Sequence, residues 1–411
     1  MQQITILTQY FHPHHGATSQ LMTDLARGFS WLGYTVNIFT SNQSNQTNLN
    51  SLESLNQINI NRAFCPIKSS NSILSKISSS LFFLLDAFAY IILHQPAKTP
   101  LLIASNPPYA GILGILFKLF KGGEYYFLLQ DIFPESAVIS GIMQPNSILF
   151  KIFNKLVYFT CKYAKKTIVL TSSMKEFLET KYPDIKTKII IIENWAIENT
   201  PKCKKQDNKF AEKYNLTEIF TVLYSGNLGR LHDIETIIEA ANILKDTPIQ
   251  FVFIGDGVKT KIIKQAIQIH HLKNILLLPY QPRELLPLSL TACDLSLVSL
   301  ICGAESIVAP SKLYGMLAAG RGIIAISSPN SYIDQLLTNS GCGINTPPNN
   351  PQHLADLISE LASDIQKVKL MGEKARQLYE SRYTFQRALD EYKQILFEED
   401  IYQEITISNE N

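Results

Sequence analysis

No two cysteines are spaced as C-x-x-C and no Cys/His set has metal-ligand spacing, so the sequence carries no zinc-site signature. The six cysteines (Cys65, Cys161, Cys203, Cys293, Cys302 and Cys342) are scattered and read as reduced core thiols. No charge of one sign prevails: a formal charge of +2 offers little to a polyanion, which excludes nucleic acid as the main partner. No D-x-D occurs, so a diphosphate clamped by a metal ion is not indicated; neither a metal nor a cofactor is expected. Membrane-spanning runs are missing as well. Leu81 to Leu93 and Tyr109 to Phe120 are apolar, but they carry Asp86 and Lys118 and fall short of the ~20 residues a span requires. The start lacks the basic region, apolar run and small-residue cleavage site of a secretory signal, and a cytoplasmic protein is expected.

What is present is a globular chain of 411 residues, 46% hydrophobic and 18% charged, longer than one hydrophobic core usually serves. Strand-length apolar runs alternate with helix-period segments. Ile4 to Leu7 reads as a strand, Ser19 to Leu32 as a helix and Thr35 to Thr40 as a strand. A polar loop is expected over 41–57, a helix near Ile77 to Leu93, and strands at Leu101 to Ala104, Tyr125 to Gln130, Thr167 to Leu170 and Lys188 to Ile192. A polar, lysine-rich stretch from Glu198 to Lys213, with Pro201, reads as a linker. The alternation then restarts at Phe220 to Tyr224 and continues at Ile249 to Ile254, Ile275 to Leu278, Leu295 to Ser299, Gly322 to Ile326 and Cys342 to Ile344. Helix-period sequence fills His353 to Phe397. The expected fold is α/β: two Rossmann-like doubly wound domains over 1–197 and 198–383, facing across a cleft, with a last helix at 384–400 returning to the first.

Four segments bear on chemistry, three of them suited to an anionic ligand. The turn Tyr10 to Gln20 holds Gly16 just ahead of a helix N-terminus, and equally reads as an ordinary βα turn. Tyr224-Ser225-Gly226-Asn227-Leu228-Gly229-Arg230-Leu231-His232-Asp233 places two glycines and Arg230 at a strand end, where backbone N–H groups and a guanidinium suit a diphosphate. Ile254-Gly255-Asp256-Gly257 resembles a dinucleotide fingerprint, but Thr260 occupies its third glycine position, which argues against a nicotinamide site. In Gly303 to Gly320, Pro310 suits the first position of a helix whose N-terminus faces the Glu305 loop. Lys312 in that first turn opposes the helix dipole, which points to retention for an anion.

In order, Gln9-Tyr10-Phe11-x-Pro13-x-x-Gly16-Ala17-Thr18, Asp131-Ile132-Phe133-Pro134-Glu135-Ser136-Ala137, Asn194-Trp195, Ser225-Gly226-Asn227-Leu228-Gly229, Ile254-Gly255-Asp256-Gly257 and Pro310-Ser311-Lys312-Leu313-Tyr314 resemble the family 4 (group 1) glycosyltransferases of the colanic-acid and O-antigen type. The resemblance implies a GT-B fold, an N-terminal acceptor-side domain and a C-terminal nucleotide-sugar domain, transfer with retention, and no required metal. It implies donor contacts at Gly16, Ala17, Gly226, Asn227, Gly229, Gly255, Pro310, Ser311 and Tyr314. The sequence departs from the family in two places. Ile307 and Gly315 stand where a glutamate pair is usual, and Asn227 and Asp233 where an arginine and a lysine are usual. Arg230 and Lys312 remain to neutralise the diphosphate, Glu305 to reach the donor's sugar or ribose by a shifted loop, and Asp131 to orient the acceptor hydroxyl or to cap a helix. His12, His14 and His15 stand where a ligand group could be contacted, or are only solvated.

The implied partners are a nucleotide sugar and a lipid-linked saccharide acceptor in cell-surface polysaccharide assembly. Alternatives are a nucleotide-sugar 2-epimerase of the same fold and a non-catalytic assembly subunit. Leu81 to Leu93 and Tyr109 to Phe120, flanked by Lys76, Lys118 and Lys121, read either as buried helices or as a surface that holds the protein on an anionic inner membrane face.

Overall fold

The computed structural model describes residues 2–14, 16–41, 57–63, 73–196, 200 and 202–398, with backbone alone at 73–79 and 398. His15, Cys65, Pro201, the Lys76 side chain, most of the polar loop and the expected boundary at 197/198 lie outside the described residues. The chain forms two compact units, Met1–Glu193 with Gln386–Asn411, and Asn194–Phe385.

The first unit opens with β1 (Gln3–Leu7), α1 (Ala17–Trp31), β2 (Thr35–Ser41), β3 (Ile58–Ala63) and α2 (Ile73–His94). It continues with β4 (Leu101–Ala104), α3 (Gly111–Lys121), β5 (Tyr125–Leu128), α4 (Glu135–Ile139), α5 (Ile148–Tyr163), β6 (Lys166–Val169), α6 (Ser172–Lys181) and β7 (Ile189–Ile191). All pairings are parallel, in the order β3-β2-β1-β4-β5-β6-β7, so strand order reverses between β1 and β4. Ile4, Ile6 and all of Leu101 to Ala104 are buried, as expected of parallel strands covered on both faces. β3 was not anticipated: Asn59, Asn61 and Arg62 interrupt its apolar pattern, which an edge strand pairing only with β2 tolerates. The C-terminal segment packs here through Phe397, whose ring lies 4.4 Å from that of Tyr34 and 5.8 Å from that of Phe29.

The second unit runs α7 (Lys209–Lys213), β8 (Phe220–Ser225), α8 (Glu235–Ile243), β9 (Ile249–Ile254), α9 (Thr260–His270), β10 (Ile275–Leu278), α10 (Leu286–Thr291) and β11 (Leu295–Ser299). Then follow α11 (Lys312–Ala319), β12 (Gly322–Ile326), α12 (Tyr332–Ser340), β13 (Gly343–Thr346), α13 (Pro351–Ser363), α14 (Ile365–Arg382) and α15 (Phe385–Lys393), which crosses into the first unit. Its six-stranded parallel sheet has the order β10-β9-β8-β11-β12-β13 and reverses between β8 and β11. The expected linker is in part structural. Lys205 is buried and its ammonium bonds Asp294 and the Ile219 carbonyl, while buried Asn208 caps α7 and bonds Leu288 and Thr291. Polar composition signalled a linker because these charges are satisfied only by residues distant in sequence. The cysteines are free thiols among the described residues. Cys161, Cys293 and Cys342 are buried, but Cys203 is half-buried and Cys302 exposed, so not all are core residues.

The greasy segments of the first unit are only partly internal. α2 buries Phe83, Ala87 and Ile91 and exposes Leu81, Phe82, Leu85 and Leu93; α3 buries Leu113 and Phe117 and exposes Ile112, Leu119 and Phe120. α5, which contacts α3, exposes Ile148, Leu149, Ile152 and Phe159 beside Lys151 and Lys155, and contains no acidic residue. Lys118 and Lys121 are partly committed elsewhere. Lys118 donates to the Tyr163 carbonyl, and Lys121 donates to the carbonyls of Ile92 and Gln95 at the end of α2. No described helix is long and apolar enough to cross a membrane.

The glycines of Gly255-Asp256-Gly257 are explained by packing. The loops after β8 and β9 cross so closely that a Cβ on Gly255 would lie 2.0 Å from the Gly226 carbonyl oxygen, and Gly255 has φ +142°. Gly226 donates to the Ile254 carbonyl and Leu228 to that of Asp256, at 2.8 and 3.0 Å. Gly33 provides the contrast, with φ +87° and open space around the missing side chain. We expect Gly33→Ala to cost about 1 kcal/mol, from backbone strain alone. Gly255→Ala should cost roughly 2–4 kcal/mol, since the crossing must open. Denaturation midpoints of the two variants check the order, and equal losses would refute the packing explanation.

Candidate functional site

The second unit gathers its candidate residues at the strand reversal between β8 and β11, the place where open parallel sheets bind ligands. Leaving β8, the chain does not open a helix at once; Gly226 to Ile234 form a loop before α8. This loop is tied across to β11. Ile301 N–H donates to the Leu231 carbonyl at 3.0 Å, and His232 Nδ1 lies 2.8 Å from the Ser299 carbonyl, which makes Nδ1 the protonated nitrogen and leaves the Nε2 lone pair free to accept.

Lys312 reaches this loop from the first turn of α11. Its Nζ donates to the Tyr224 hydroxyl at 2.5 Å, stands 3.3 Å from His232 Nε2 and lies 4.3 Å above the Tyr224 ring. Tyr224 in turn donates to the Asn227 carbonyl at 3.1 Å. These partners are all neutral, and no carboxylate pairs with the ammonium among the described residues. The neighbouring Lys259 differs, being neutralised by Glu235 at 2.6 Å. Loss of solvent pushes the half-buried Lys312 down to about 7. It also pushes His232 down to about 3, with the Lys312 charge contributing, so the imidazole stays neutral. A desolvated cation at a helix N-terminus, uncompensated by the protein, is arranged for an anion.

The other expected residues are placed less uniformly. α11 begins at Lys312, with Ser311 as its exposed cap and Pro310 before it, so the expected start at Pro310 is corrected. Pro310 instead closes a turn by accepting from Leu313 N–H. Arg230 and Asn227 are exposed, and Arg230 makes no hydrogen bond or ion pair among the described residues. Gly229 packs beside the Asn227 amide. Glu305 is 7% exposed and accepts from Ser328 N–H at 2.7 Å, which commits one carboxylate oxygen to the fold. Tyr314 has its side chain in the core, its ring 5.2 Å from that of Tyr383. Ile307 is buried and Gly315 half-buried, so neither place presents a carboxylate.

In the first unit, Gly16 caps α1 with φ −79°, a conformation open to any residue, and its N–H is taken by His14 Nδ1 at 3.0 Å. That N–H is therefore used within the loop. Ala17 begins α1. Asp131, just past β5, is an exposed residue, and the protein around its carboxyl pushes it up to about 6 by loss of solvent. His12 and His14 are half-buried. Sequence reasoning quoted Tyr224 and His232 without giving them a role. Their spacing carries no signal, since the loop's return onto β11 alone brings both to Lys312.

Two doubly wound parallel sheets in series, the second with a cation at its strand reversal, match the α/β architecture expected of a GT-B fold. Residues 205–378 match the family model of glycosyl transferases group 1. Probable glycosyltransferase WbjE of Pseudomonas aeruginosa is 29% identical over 305 residues, covering 72% of this chain and 74% of that protein. The putative colanic acid biosynthesis glycosyl transferase WcaI of Escherichia coli (strain K12) is 35% identical over 115 residues, 28% of each chain. Among solved structures, sucrose-phosphate synthase of Thermosynechococcus elongatus has a TM-score of 0.76 at 15% identity, covering 99% of this chain and all of its own. HepE of Anabaena, in complex with UDP and glucose, gives 0.74 at 14%, covering 96% and 99%. WaaG, a glycosyltransferase of lipopolysaccharide biosynthesis, gives 0.71 at 12%, covering 96% and 99%. At these identities the structures establish a shared fold, and the match to glycosyl transferases group 1 is carried by residues 205–378.

The depressed Lys312 value fixes a sign for stability. Between about 7 and the ordinary 10.5, the unfolded chain holds a proton that the folded chain has released, so this group makes stability rise with pH across that window. Ligand-free Lys312→Met should therefore be more stable than the parent at pH 7, with the gap closing toward pH 10. Thermal midpoints of both proteins across that range decide it, and a gap independent of pH would refute the assignment.

Proposed function

We propose that the protein transfers a sugar from a nucleotide-sugar donor to a lipid-linked saccharide acceptor in cell-surface polysaccharide biosynthesis, with retention of configuration and without a required metal. The observation that carries this reading is the Lys312 ammonium held among Tyr224, His232 and the aromatic face of Tyr224, with no carboxylate paired to it among the described residues. A diphosphate placed there supplies the missing counter-charge. As the bond to the sugar breaks, negative charge grows on the diphosphate, and a fixed ammonium in a poorly hydrated place stabilises it without reorganising. Arg230 on the same loop reaches the diphosphate from solvent, and its contribution is smaller because it is screened. Asp131, with its raised carboxyl, is suited to take up a hydroxyl proton from the acceptor. HepE, which shares the fold, was solved with UDP and with UDP-glucose, and WcaI is named for colanic acid; both favour this donor class and pathway type. Retention and metal independence rest on the family resemblance.

Calorimetric titration with UDP should show net proton uptake near pH 7–8, because a bound diphosphate restores the Lys312 proton. Lys312→Ala should weaken UDP binding by about tenfold or more, and Arg230→Ala by a few-fold. Unchanged affinity in both would refute the site. Radiolabelled nucleotide sugars then separate the rival activities. Label on a lipid-linked acceptor means transfer, and an altered free donor means epimerisation. Absence of both products would favour the non-catalytic role that the missing carboxylates at Ile307 and Gly315 allow.

A lipid-linked acceptor calls for work at the inner membrane face, and the exposed apolar side chains of α2, α3 and α5, with Lys151 and Lys155, supply apolar contact and positive charge for it. The protein should float with vesicles rich in phosphatidylglycerol at low salt and be released at high salt. Joint replacement Lys151→Glu and Lys155→Glu should abolish flotation, and flotation undiminished in that variant would overturn the surface.

A further inference from the structure

At the carboxyl edge of the first unit's sheet, beside the reversal between β1 and β4, three uncharged polar side chains meet. The Thr18 hydroxyl donates to Gln130 Oε1 at 2.9 Å, and Asn106 Nδ2 donates to the same oxygen at 2.6 Å and to Thr18 Oγ1 at 3.3 Å. The Gln130 backbone N–H is held by Ser105 Oγ at 3.0 Å, and the Gln130 residue is 7% exposed. The three come from different places in the chain: Thr18 from the first turn of α1, Asn106 from just beyond β4, and Gln130 from just beyond β5.

Two groups of this cluster are left over. With Oε1 engaged twice, the Gln130 amide is fixed so that Nε2 has no acceptor among the described residues, and Asn106 Oδ1 has no donor. Neither atom is sealed from solvent. Turning both amides over together would leave the same complement of one donor and one acceptor. A polar side chain buried to this degree is ordinarily saturated by its own protein. A rigid donor and a rigid acceptor side by side match adjacent sugar hydroxyls, each of which both donates and accepts. A phosphate accepts from the one free N–H, but its oxyanions bring no proton to the free carbonyl oxygen and no cation among these side chains answers its charge.

We propose that Thr18, Asn106 and Gln130 form a subsite for adjacent hydroxyls of an uncharged sugar. The role of that sugar in transfer rests on the glycosyltransferase reading above; the binding chemistry does not. The full chain is tested by saturation-transfer NMR with four methyl glycosides (of glucose, galactose, mannose and N-acetylglucosamine), and UDP and UDP-glucose affinities are measured on the same samples. The parent should give a signal with at least one glycoside that inorganic phosphate does not displace. Gln130→Met, which keeps the volume but not the amide, and Thr18→Val should each weaken a sugar interaction about fivefold to tenfold while UDP affinity and the melting midpoint stay unchanged. Loss of the glycoside signal alone assigns the subsite to an acceptor sugar, and loss of the UDP-glucose advantage over UDP alone assigns it to the donor's sugar. No glycoside signal in the parent, displacement by phosphate, or parent-like behaviour of both variants would overturn the proposal. Absence of UDP binding beside an intact glycoside signal would instead refute the donor site and leave this one standing.

Discussion

Because Lys312 places an ammonium in the first turn of α11, against Tyr224 and His232, the charge at the second unit's strand reversal is positive and unanswered by the protein. Each neighbouring feature bears on that contact. Gly226 lacks a side chain where a Cβ would lie 3.2 Å from Lys312 Cε, and its loop is seated by crossing the loop after β9 at Gly255. His232 is kept neutral by desolvation and by the ammonium itself, and its tautomer is set by the Ser299 carbonyl. A carboxylate here would quench the site; Glu235, at the start of α8, is already occupied by Lys259.

The two sheets apply one topology to different chemistry. Both are wholly parallel and both reverse order once, which leaves a crevice at the carboxyl ends of the central strands where backbone and loop side chains are free to meet a ligand. At the reversal of the second unit stands a desolvated cation, whereas at that of the first stand a threonine and two amides that bond one another. A charged group recognises an anion over a broad range of geometry; locked neutral amides discriminate by the direction of single hydrogen bonds. That contrast suits a substrate pair in which one member carries phosphates and the other hydroxyls.

Outside the crevices, the first unit spends apolar residues on its surface. α2, α3 and α5 each bury one face, yet Leu93, Leu119, Phe120 and Ile148 stand two-thirds or more exposed. The lysines on these helices divide by role: Lys121 satisfies the last carbonyls of α2, while Lys151 and Lys155 extend into solvent. Helix-period hydrophobicity alone did not separate these faces, because an apolar stripe wide enough to be buried and one wide enough to lie on a membrane read alike.

What the sequence determined by itself was the alternation of strands and helices. Runs such as Leu101 to Ala104, Ile249 to Ile254 and Gly322 to Ile326 are apolar on both faces and too short for helices, so their period and length leave one assignment. It also exposed Lys312, through its misfit with a helix N-terminus. The tertiary structure decided the rest. The edge strand β3 carried no strand pattern, and the internally bonded Lys205 looked like linker, because their partners lie elsewhere in the chain. That the Tyr314 side chain lies in the core and that Gly255 sits at a backbone crossing are likewise tertiary facts. Tyr224 with His232, and Thr18 with Asn106 and Gln130, become neighbours only when the sheets close. Hydrogen bonds act over about 3 Å in space, a range that spacing along a chain does not encode.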